Sequence, residues 1–444
     1  MTYLNRFDNQ GKPALSQNKT CRTLTLIAVA LAVAFATQNI QSAEKTKASN
    51  DETQSKNTAG HPPDNPIKPQ TFVENIGAGA WIITRGPLSQ KKSRPLFNPK
   101  IPEILVAAGC HGGRLHAGIS DQLDQEHMTI PPETLKYIHE AVDSCLKAGM
   151  NIVMMVEIIK ERDPSDKDME LQYKIWDRIC YEMRNKSHRL AMAPFIEWHG
   201  WEKEPEPAKS KKFKEMQKRC TKIFRKYNPT RIIAYKGMAS SRLNGPPWDF
   251  LELDKKKPDN PFFIVCGSAA SLGTAHHSRK WLDWGINKNY TQDDMKKEIS
   301  DFFKPALLFR KKYGVAIFVD HWTALVEGDE TTSVDVDKRI AELKKSKMNR
   351  AKKDLVKLLR NKAKTEKKGQ KFELRKYKLS QSIAFIKYVS ELIIKNGLGG
   401  AFQPHTVDYF WNPSTKSKLN PQKGTPEYKA REIIMQSWGT RNTP

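Results

Sequence analysis

Carboxylic acids, indoles and imidazoles recur at the ends of short apolar runs in this sequence. The acids are Glu157, Glu197 and Asp320, and two such carboxyl groups can supply the acid and the nucleophile or base that cleave a glycosidic bond. The side chains that accompany them are Arg114, His116, Trp198, His199, Trp201, Trp284, His321, Trp322 and His405. Flat indole faces can stack on sugar rings, so the cluster predicts a glycan site. Each tryptophan taken singly could equally be a packing residue.

Metal and cofactor chemistry has less support. The histidines show no metal-ligand spacing, and the sequence contains no C-x-x-C pair, no H-E-x-x-H and no G-x-x-x-x-G-K-[ST]. Six cysteines in 444 residues also exclude a disulfide-dense small scaffold. We therefore expect neither a metal nor a cofactor.

Eight apolar runs must position these candidate residues. The runs are dense in Ile, Val, Phe and Met without strict alternation, as expected for strands buried on both faces. They are Ala80–Thr84, Gly113–Gly118, Asn151–Glu157, Leu190–Trp198, Arg231–Gly237, Pro261–Gly267, Val315–His321 and Gly399–His405.

Amphipathic helical patterns lie between most of these runs. Pro131–Gly149 begins with Pro-Pro-Glu-Thr and ends in Lys-Ala-Gly, a pair of helix start and stop signals. The other patterns are Met169–Arg184, Ser210–Tyr227, Thr291–Tyr313, Leu379–Asn396 and Thr425–Gly439, with only a weak short helix near Asp249 after the fifth run.

Eight strand–helix units predict an α/β protein, a (β/α)8 TIM barrel with insertions. An open doubly wound sheet is the alternative, and the lack of a glycine-rich phosphate fingerprint after the first run weighs against it. In TIM barrels the C-terminal ends of the strands carry the chemistry, which is where the candidate residues fall.

The N-terminus is typical of an exported protein. Lys19 and Arg22 precede the apolar run Leu24–Phe35, which has the length of a signal-peptide core. We expect a signal peptide over residues 1–43, a disordered polar linker over 44–70 and the barrel over 71–444, hence a secreted or periplasmic protein. An uncleaved N-terminal helix that anchors the chain is the alternative. The mature chain would keep five cysteines, for which burial is the expected role and one free thiol a consequence of the odd number.

Basic residues are concentrated in one segment. The net charge is +26, and residues 338–378 hold 18 Lys and Arg against four Asp and Glu. We interpret residues 328–380 as an exposed, Lys-rich helical insertion after the seventh strand. A solvated hairpin without a ligand and a site for an anionic polymer are both open. No aromatic stacking platform interleaves the charges, so we expect no nucleic-acid partner.

Several stretches resemble the cellulase-like glycoside hydrolases of family 5. Glu74–Trp81 resembles the first strand of that family, Ile101–His116 the second strand, and Thr129–Met155 the second helix and third strand. Ala191–Gly200 resembles its Asn-Glu-Pro-His-Gly motif. Tyr227–Ile233 and Tyr313–Phe318 resemble the segments that lead into strands five and seven. The resemblance covers residues 72–440 apart from the insertion, and it implies a TIM barrel that hydrolyses O-glycosidic bonds of a β-linked polysaccharide.

The resemblance implies roles for individual residues. Glu197 falls on the acid/base of the family. Arg114 falls on the arginine that this family usually has near its nucleophile. Trp81 joins the predicted substrate-binding residues. The position of the nucleophilic glutamate falls on His321, one residue after Asp320. An imidazole cannot form the same ester intermediate as a carboxylate.

Three functional hypotheses remain open at this point. The first is an active, monomeric retaining glycosidase with Glu197 as acid/base and Asp320 as nucleophile, acting on an oligosaccharide or polysaccharide that could be anionic. The second is a catalytically inactive relative that binds glycans on the same barrel. The third is a barrel hydrolase that uses another carboxylate pair, such as Glu157 with Glu197.

Overall fold

A closed barrel of eight parallel strands forms the centre of the molecule. The computed structural model describes residues 60–89, 96–159, 164–194, 206–237, 262–272, 291–324, 331–334, 372–375, 379–403, 411–412, 417–418, 423 and 426–439. The strands are β1 Ala78–Arg85, β2 Gly112–Gly118, β3 Asn151–Glu157, β4 Leu190–Ala193, β5 Ile233–Lys236, β6 Phe263–Leu272, β7 Ala316–Ala324 and β8 Gly399–Gln403. Each strand pairs with the next, and β8 pairs with β1, which confirms the predicted TIM barrel and excludes the open sheet.

Eight helices are described with the barrel. They are α1 Pro69–Ile76, α2 Ile101–Ala107, α3 Pro132–Lys147, α4 Asp166–Glu182, α5 Glu206–Tyr227, α6 Gln292–Tyr313, α7 Leu379–Lys395 and α8 Pro426–Gly439. The starts of α4 and α6 carry reciprocal capping boxes, built by Ser165 with Asp168 and by Thr291 with Asp294. The helix predicted near Asp249 lies outside the described residues.

The short helix α1 closes the N-terminal end of the barrel. Its buried side chains, Phe72, Val73 and Ile76, belong to the same apolar cluster as the interior residues of the strands, such as Val153 and Ile264. The backbone N–H of Gly400 donates to the carbonyl of Gly77 at 2.7 Å, which ties the end of α1 to the start of β8. The lower part of the barrel is therefore a packed apolar core.

Two predicted boundaries change in the structure. Residues 101–107 form α2, whereas the resemblance had placed Ile101–His116 in a strand; Pro102 in the first turn favours the helix, and the strand begins only at Gly112. Residues 60–70, which were predicted to belong to the linker, make hydrogen bonds with residues much farther along the chain. The N–H of Gly60 donates to the carbonyl of Tyr227 at 2.9 Å, and Asp64 accepts from the N–H of His188 at 2.7 Å.

The strand β2 approaches β1 closely because it begins with two glycines. A Cβ atom on Gly113 would lie 1.8 Å from the carbonyl oxygen of Ala80. No residue larger than glycine fits there, and this fixes the backbone directly below Arg114 in the register that pairs Arg114 with Trp81.

An antiparallel ribbon lies within residues 328–380, the predicted insertion. Thr331–Val334 pairs with Phe372–Arg375, so these two short strands lie side by side. The residues between the two strands lie outside the described part of the chain. Among the helices that the structure describes, none has the length and apolar character needed to cross a membrane.

Candidate active site

Charged and aromatic side chains from five strands meet in the upper barrel, toward the C-terminal ends of the strands. Trp81 comes from β1, Arg114 and His116 from β2, Glu157 from β3, and Asp320 from β7. Lys236, the last residue of β5, joins them. We call these six residues the upper cluster.

Asp320 forms the centre of the upper cluster. Its Oδ2 accepts a hydrogen bond from the Nζ of Lys236 and lies 3.3 Å from Nη1 of Arg114. The same guanidinium nitrogen is 3.4 Å from the backbone carbonyl oxygen of Asp320. The side chain of Asp320 is 0% exposed, and each cation is 1% exposed. This arrangement favours a structural and electrostatic role for Asp320, because a nucleophile must reach the anomeric carbon of a sugar.

Arg114 also organises an aromatic stack. Its guanidinium lies 4.1 Å from the ring centroid of Trp81, in cation–π geometry. The indole of Trp81 stacks on the imidazole of His116 with 5.8 Å between ring centroids and an interplanar angle of 7°. Three side chains from two neighbouring strands are therefore held in one rigid layer.

His116 lies between Arg114 and Glu157. Nη2 of Arg114 lies 3.4 Å from Nδ1 of His116. Because a guanidinium only donates, Nδ1 is the acceptor in this contact. Nε2 of the same ring lies 3.4 Å from Oε2 of Glu157.

Glu157 lies at the accessible margin of the upper cluster. Its side chain is 17% exposed, and Ser120, just beyond β2, donates from its hydroxyl to Oε1 at 3.3 Å. Each oxygen of the carboxylate thus has a polar neighbour. Among the carboxylates that the structure describes inside the barrel, Glu157 combines fixed orientation with contact to the solvent.

Trp322 was predicted to bind substrate, but its side chain lies on the outer face of β7, away from the barrel interior. It is 1% exposed, belongs to the apolar shell between barrel and helices, and packs on Phe402 at 4.6 Å between ring centroids. The cause is an irregularity in β7, where the register against β6 shifts between Gly267 and Ser268 and places Asp320 and Trp322 on different faces. The prediction of Trp322 as a sugar-binding residue is wrong in this structure.

The structure leaves part of the predicted site undescribed. Glu197, Trp198, His199, Trp201, Trp284 and His405 lie outside the described residues. For His321 the backbone is described, and it pairs with Ser268 of β6. The roles predicted for these residues stay predictions.

Lys236 was missed by the sequence reasoning. It ends the run Ile233–Lys236, and its side chain is buried against a carboxylate 84 residues away. A lysine inside an otherwise apolar strand was the available signal, because a buried ammonium requires a counter-charge. The identity of that partner could not be read from spacing.

Five cysteines lie among the described residues. Cys110, Cys145, Cys180, Cys220 and Cys266 are all buried free thiols. Burial raises the pKa of the Cys110 thiol to about 12, so it is an unreactive thiol at neutral pH. Among the described residues, no group of three or more His, Cys, Asp and Glu could hold a metal ion.

Comparison with known proteins relates the chain to endoglucanases. No model of a protein family matches the sequence. Over 220 residues the chain is 26% identical to endoglucanase H of Acetivibrio thermocellus, a match that covers 46% of this chain and 21% of that protein. The chain thus matches about a fifth of the length of this curated relative.

Solved structures give a more extensive likeness. A hyperthermophilic endo-β-1,4-glucanase solved with substrate has a TM-score of 0.53 and 15% identity, covering 82% of this chain and 100% of that one. Cel5A of Thermotoga maritima, solved with a mannotriose substrate, has a TM-score of 0.58 and 14% identity, covering 83% and 99%. The chain therefore has the endoglucanase-like fold of glycoside hydrolase family 5. Likeness at this level of identity establishes the fold alone.

Proposed function

We propose that this protein hydrolyses O-glycosidic bonds in a β-linked polysaccharide. One observation carries the proposal: the oriented, partly exposed carboxylate of Glu157 stands beside the Trp81–His116 stack at the C-terminal end of the barrel. That end is where TIM-barrel enzymes place their active sites. The endoglucanase-like fold supports the same class of substrate.

In the proposed mechanism, a protonated carboxylic acid gives its proton to the leaving oxygen while a second carboxylate faces the anomeric carbon. Glu197 is the proposed acid/base, on the basis of its place after β4 and its resemblance to the family motif. Arg114 holds the floor of the site through Asp320 and Trp81. Closely spaced carboxyl groups would give retention of configuration.

Release of reducing sugar from a panel of β-glucans, mannans and xylans tests this proposal. We expect wild-type protein to release sugar from at least one polymer, and Glu197→Gln to lower the rate by about 1,000-fold or more. Glu215→Gln, on the exposed face of α5, is the matched control and should retain wild-type activity. Undetectable activity of the wild type on every polymer would contradict the proposal.

Non-catalytic glycan binding is the second candidate, and the state of Asp320 favours it. The predicted nucleophile is fully enclosed by Lys236 and Arg114. If the upper cluster serves only to build a binding floor, affinity electrophoresis in gels that contain each polymer should show retardation without hydrolysis. Hydrolysis that Glu197→Gln abolishes would exclude this candidate.

We also propose export and a preference for charged glycans. The basic segment follows β7, so its base lies at the same end of the barrel as the upper cluster. Its charge would concentrate anionic ligands, with an effect that fades as salt rises. Replacing residues 338–369 with a short Gly-Ser turn keeps both strands of the ribbon.

This variant should lose affinity for a sulfated or uronic-acid glycan at low salt and keep its affinity for a neutral one. An equal loss of affinity for both glycans, or no loss, would mean that the segment is a solvated surface element without a ligand. Export is tested separately by expressing the full chain in a Gram-negative host and sequencing the N-terminus of the periplasmic product. An uncleaved, membrane-bound chain would support the anchored alternative.

A further inference from the structure

The helix α5 carries a large excess of positive charge. Its 22 residues include nine Lys and Arg residues against two Glu residues. The helix α6 has the same length, but it includes six Lys and Arg residues against four acidic ones. Soluble surfaces usually intersperse both signs of charge, as α6 does. The excess on α5 is therefore a local feature that distinguishes this helix from a neighbouring part of the same surface.

Four lysines of α5 share one exposed face of the helix. Lys211, Lys218, Lys222 and Lys226 follow each other at intervals of seven, four and four residues, which places them in one row. All four are exposed, and we call them the basic stripe. With a rise of about 1.5 Å per residue, the stripe is about 22 Å long. Because α5 connects the end of β4 to the start of β5, the stripe runs down the outside of the barrel from the end that carries the upper cluster.

Acidic neighbours compensate only part of this charge. The ammonium group of Lys218 lies 3.7 Å from Oε1 of Glu215, and that of Lys226 lies 3.4 Å from Oδ1 of Asp177. The side chains of both pairs are 43–62% exposed. Ion pairs with this exposure contribute little to stability, so their lysines can exchange one anionic partner for another.

An exposed aromatic ring lies beside the lower end of the basic stripe. Tyr181, in the last turn of α4, is 39% exposed, and it is the one exposed Phe, Trp or Tyr side chain in the described part of the chain. It meets the ring of Tyr227, the last residue of α5, edge-on with 5.8 Å between centroids. The guanidinium of Arg184 lies 3.8 Å from the centroid of the Tyr181 ring. These contacts fix the position of the ring and place a further cation next to it.

We propose that the basic stripe and Tyr181 form a non-catalytic binding surface for a linear polysaccharide that carries carboxylate or sulfate groups. The inference rests on the proposed function for the class of polymer, and it assigns a second surface to that polymer. The lysines bind the acidic substituents as a row of point charges, while the ring of Tyr181 adds a flat apolar contact for a sugar. A chain held along the stripe is concentrated next to the end of the barrel that carries the upper cluster.

Binding of the full-length protein to polygalacturonate, measured by isothermal titration calorimetry, tests the proposal. The triple variant Lys211→Gln, Lys218→Gln, Lys222→Gln removes most of the charge of the stripe and keeps Lys226, which also contacts α4. We expect its affinity at low salt to fall about tenfold relative to the wild type. The difference should disappear in about 1 M salt, where the Debye length is only about 3 Å.

A triple variant of α6 is the matched control. Lys297→Gln, Lys304→Gln and Lys311→Gln remove the same charge from three exposed positions in one row of a helix of equal length. Both triple variants keep the basic segment at residues 338–378, so any contribution of that segment is the same in both. The α6 variant should bind polygalacturonate like the wild type. Equal losses in the two variants, or no loss in the α5 variant, would overturn the proposal.

The aromatic part of the surface has a separate test. Tyr181→Ala should weaken binding of polygalacturonate about threefold at low salt, because it removes the apolar contact and leaves the lysines in place. Leu308→Ala, which removes an exposed apolar side chain from α6, is the control and should bind like the wild type. Unchanged binding by Tyr181→Ala would contradict the assignment of the ring to this surface.

Two further measurements separate this inference from its alternatives. Vesicles of phosphatidylglycerol that bind as tightly as polygalacturonate, and lose the same affinity in the α5 variant, would make the surface a membrane contact and overturn the choice of a polysaccharide. Binding through the stripe by a protein that hydrolyses no polymer would contradict the proposed function alone. Hydrolysis by a protein whose two triple variants bind equally well would contradict this inference alone.

Discussion

Arg114 and Arg231 lie at opposite ends of the barrel, and both are 1% exposed. The guanidinium of Arg231 donates to the backbone carbonyls of Ser187, Leu190, Met183 and Lys186 and to the side chain of Asn228, at 2.6–3.2 Å. Arg114 instead contacts Asp320, His116 and the face of Trp81. Arg231 is held mainly by backbone carbonyl groups, whereas Arg114 is held mainly by ionisable and aromatic side chains.

We infer that Arg231 stabilises the fold, whereas Arg114 belongs to the candidate active site. Burial lowers the pKa of Arg231 to about 10, which still leaves the group charged at neutral pH, and its donors join the segment before β4 to the segment before β5. These hydrogen bonds at the N-terminal face stabilise the barrel. At the upper end the described charges are the two cations Arg114 and Lys236 and the carboxylates of Asp320 and Glu157, of which only that of Glu157 is partly exposed.

Removing the lower arginine should have the largest effect. Arg231→Met deletes five hydrogen bonds from a charged donor, and we expect a loss of about 4 kcal/mol in the free energy of unfolding. Urea unfolding measures it, with Arg178→Met, at an exposed position on α4, as the control. Activity per folded molecule should not change. A loss below about 1 kcal/mol would mean that the backbone does not depend on this guanidinium.

Removing the negative charge from the centre of the upper cluster should lower the free energy of unfolding somewhat less. A second substitution should recover part of that loss. Asp320→Asn leaves Lys236 and Arg114 buried without their counter-charge, and we expect a loss of about 3 kcal/mol. Lys236→Met in the same chain removes one of the two stranded cations and should recover part of that loss. A double variant that is less stable than Asp320→Asn would contradict the view that charge balance holds the upper cluster together.

The sequence predicted the fold more completely than the site. The eight apolar runs located the strands because parallel strands buried on both faces need continuous apolar segments. Arg114 and His116 lie on β2 and Glu157 ends β3, while the roles predicted for them stay predictions. The sequence reasoning missed α1 and α2, whose short apolar patterns lie close to strand-like stretches; in both, proline in the first turn was the available signal.

The errors in the site have local physical causes. Trp322 directly follows the predicted seventh run and was placed with the other strand-end residues, but the register shift next to Asp320 turns it outward. Lys236 was missed although it lies within the predicted run Arg231–Gly237. Its partner lies two strands away, on β7, and only closure of the barrel brings them together.

Two tryptophans on opposite faces of the barrel sheet sharpen the distinction between packing and site. Trp322→Phe should change the free energy of unfolding by about 1 kcal/mol or less, because the indole N–H has no hydrogen-bond partner among the described residues and the ring is only reduced in size. Its kcat and KM should stay at wild-type values.

Trp81→Phe is the matched change inside the barrel. It weakens the cation–π contact with Arg114 and loosens the stack on His116, so we expect kcat/KM to fall about tenfold. Steady-state kinetics on the best substrate compares the two variants. A larger kinetic effect at Trp322 than at Trp81 would reverse the assignment of the two faces.

The smallest expected effect concerns Asp64, which fastens the segment before α1 to the lower end of the barrel. Burial alone would raise the pKa of its carboxyl group, but hydrogen bonds from Ser187 and His188 together lower it. A carboxylate with a lowered folded-state pKa stabilises the protein above its unfolded pKa of about 3.9, and this contribution is lost as pH falls through the folded-state pKa. Because the side chain is 35% exposed, solvent screening keeps the gain below about 1 kcal/mol.

Urea midpoints of wild type and Asp64→Asn should therefore differ by a constant small amount between pH 5 and pH 7 and converge below about pH 4. Asp301→Asn, at an exposed position on α6, controls for the change in net charge, and a difference that widens as the solution is acidified would show that this carboxylate does not fasten the chain in its ionised form.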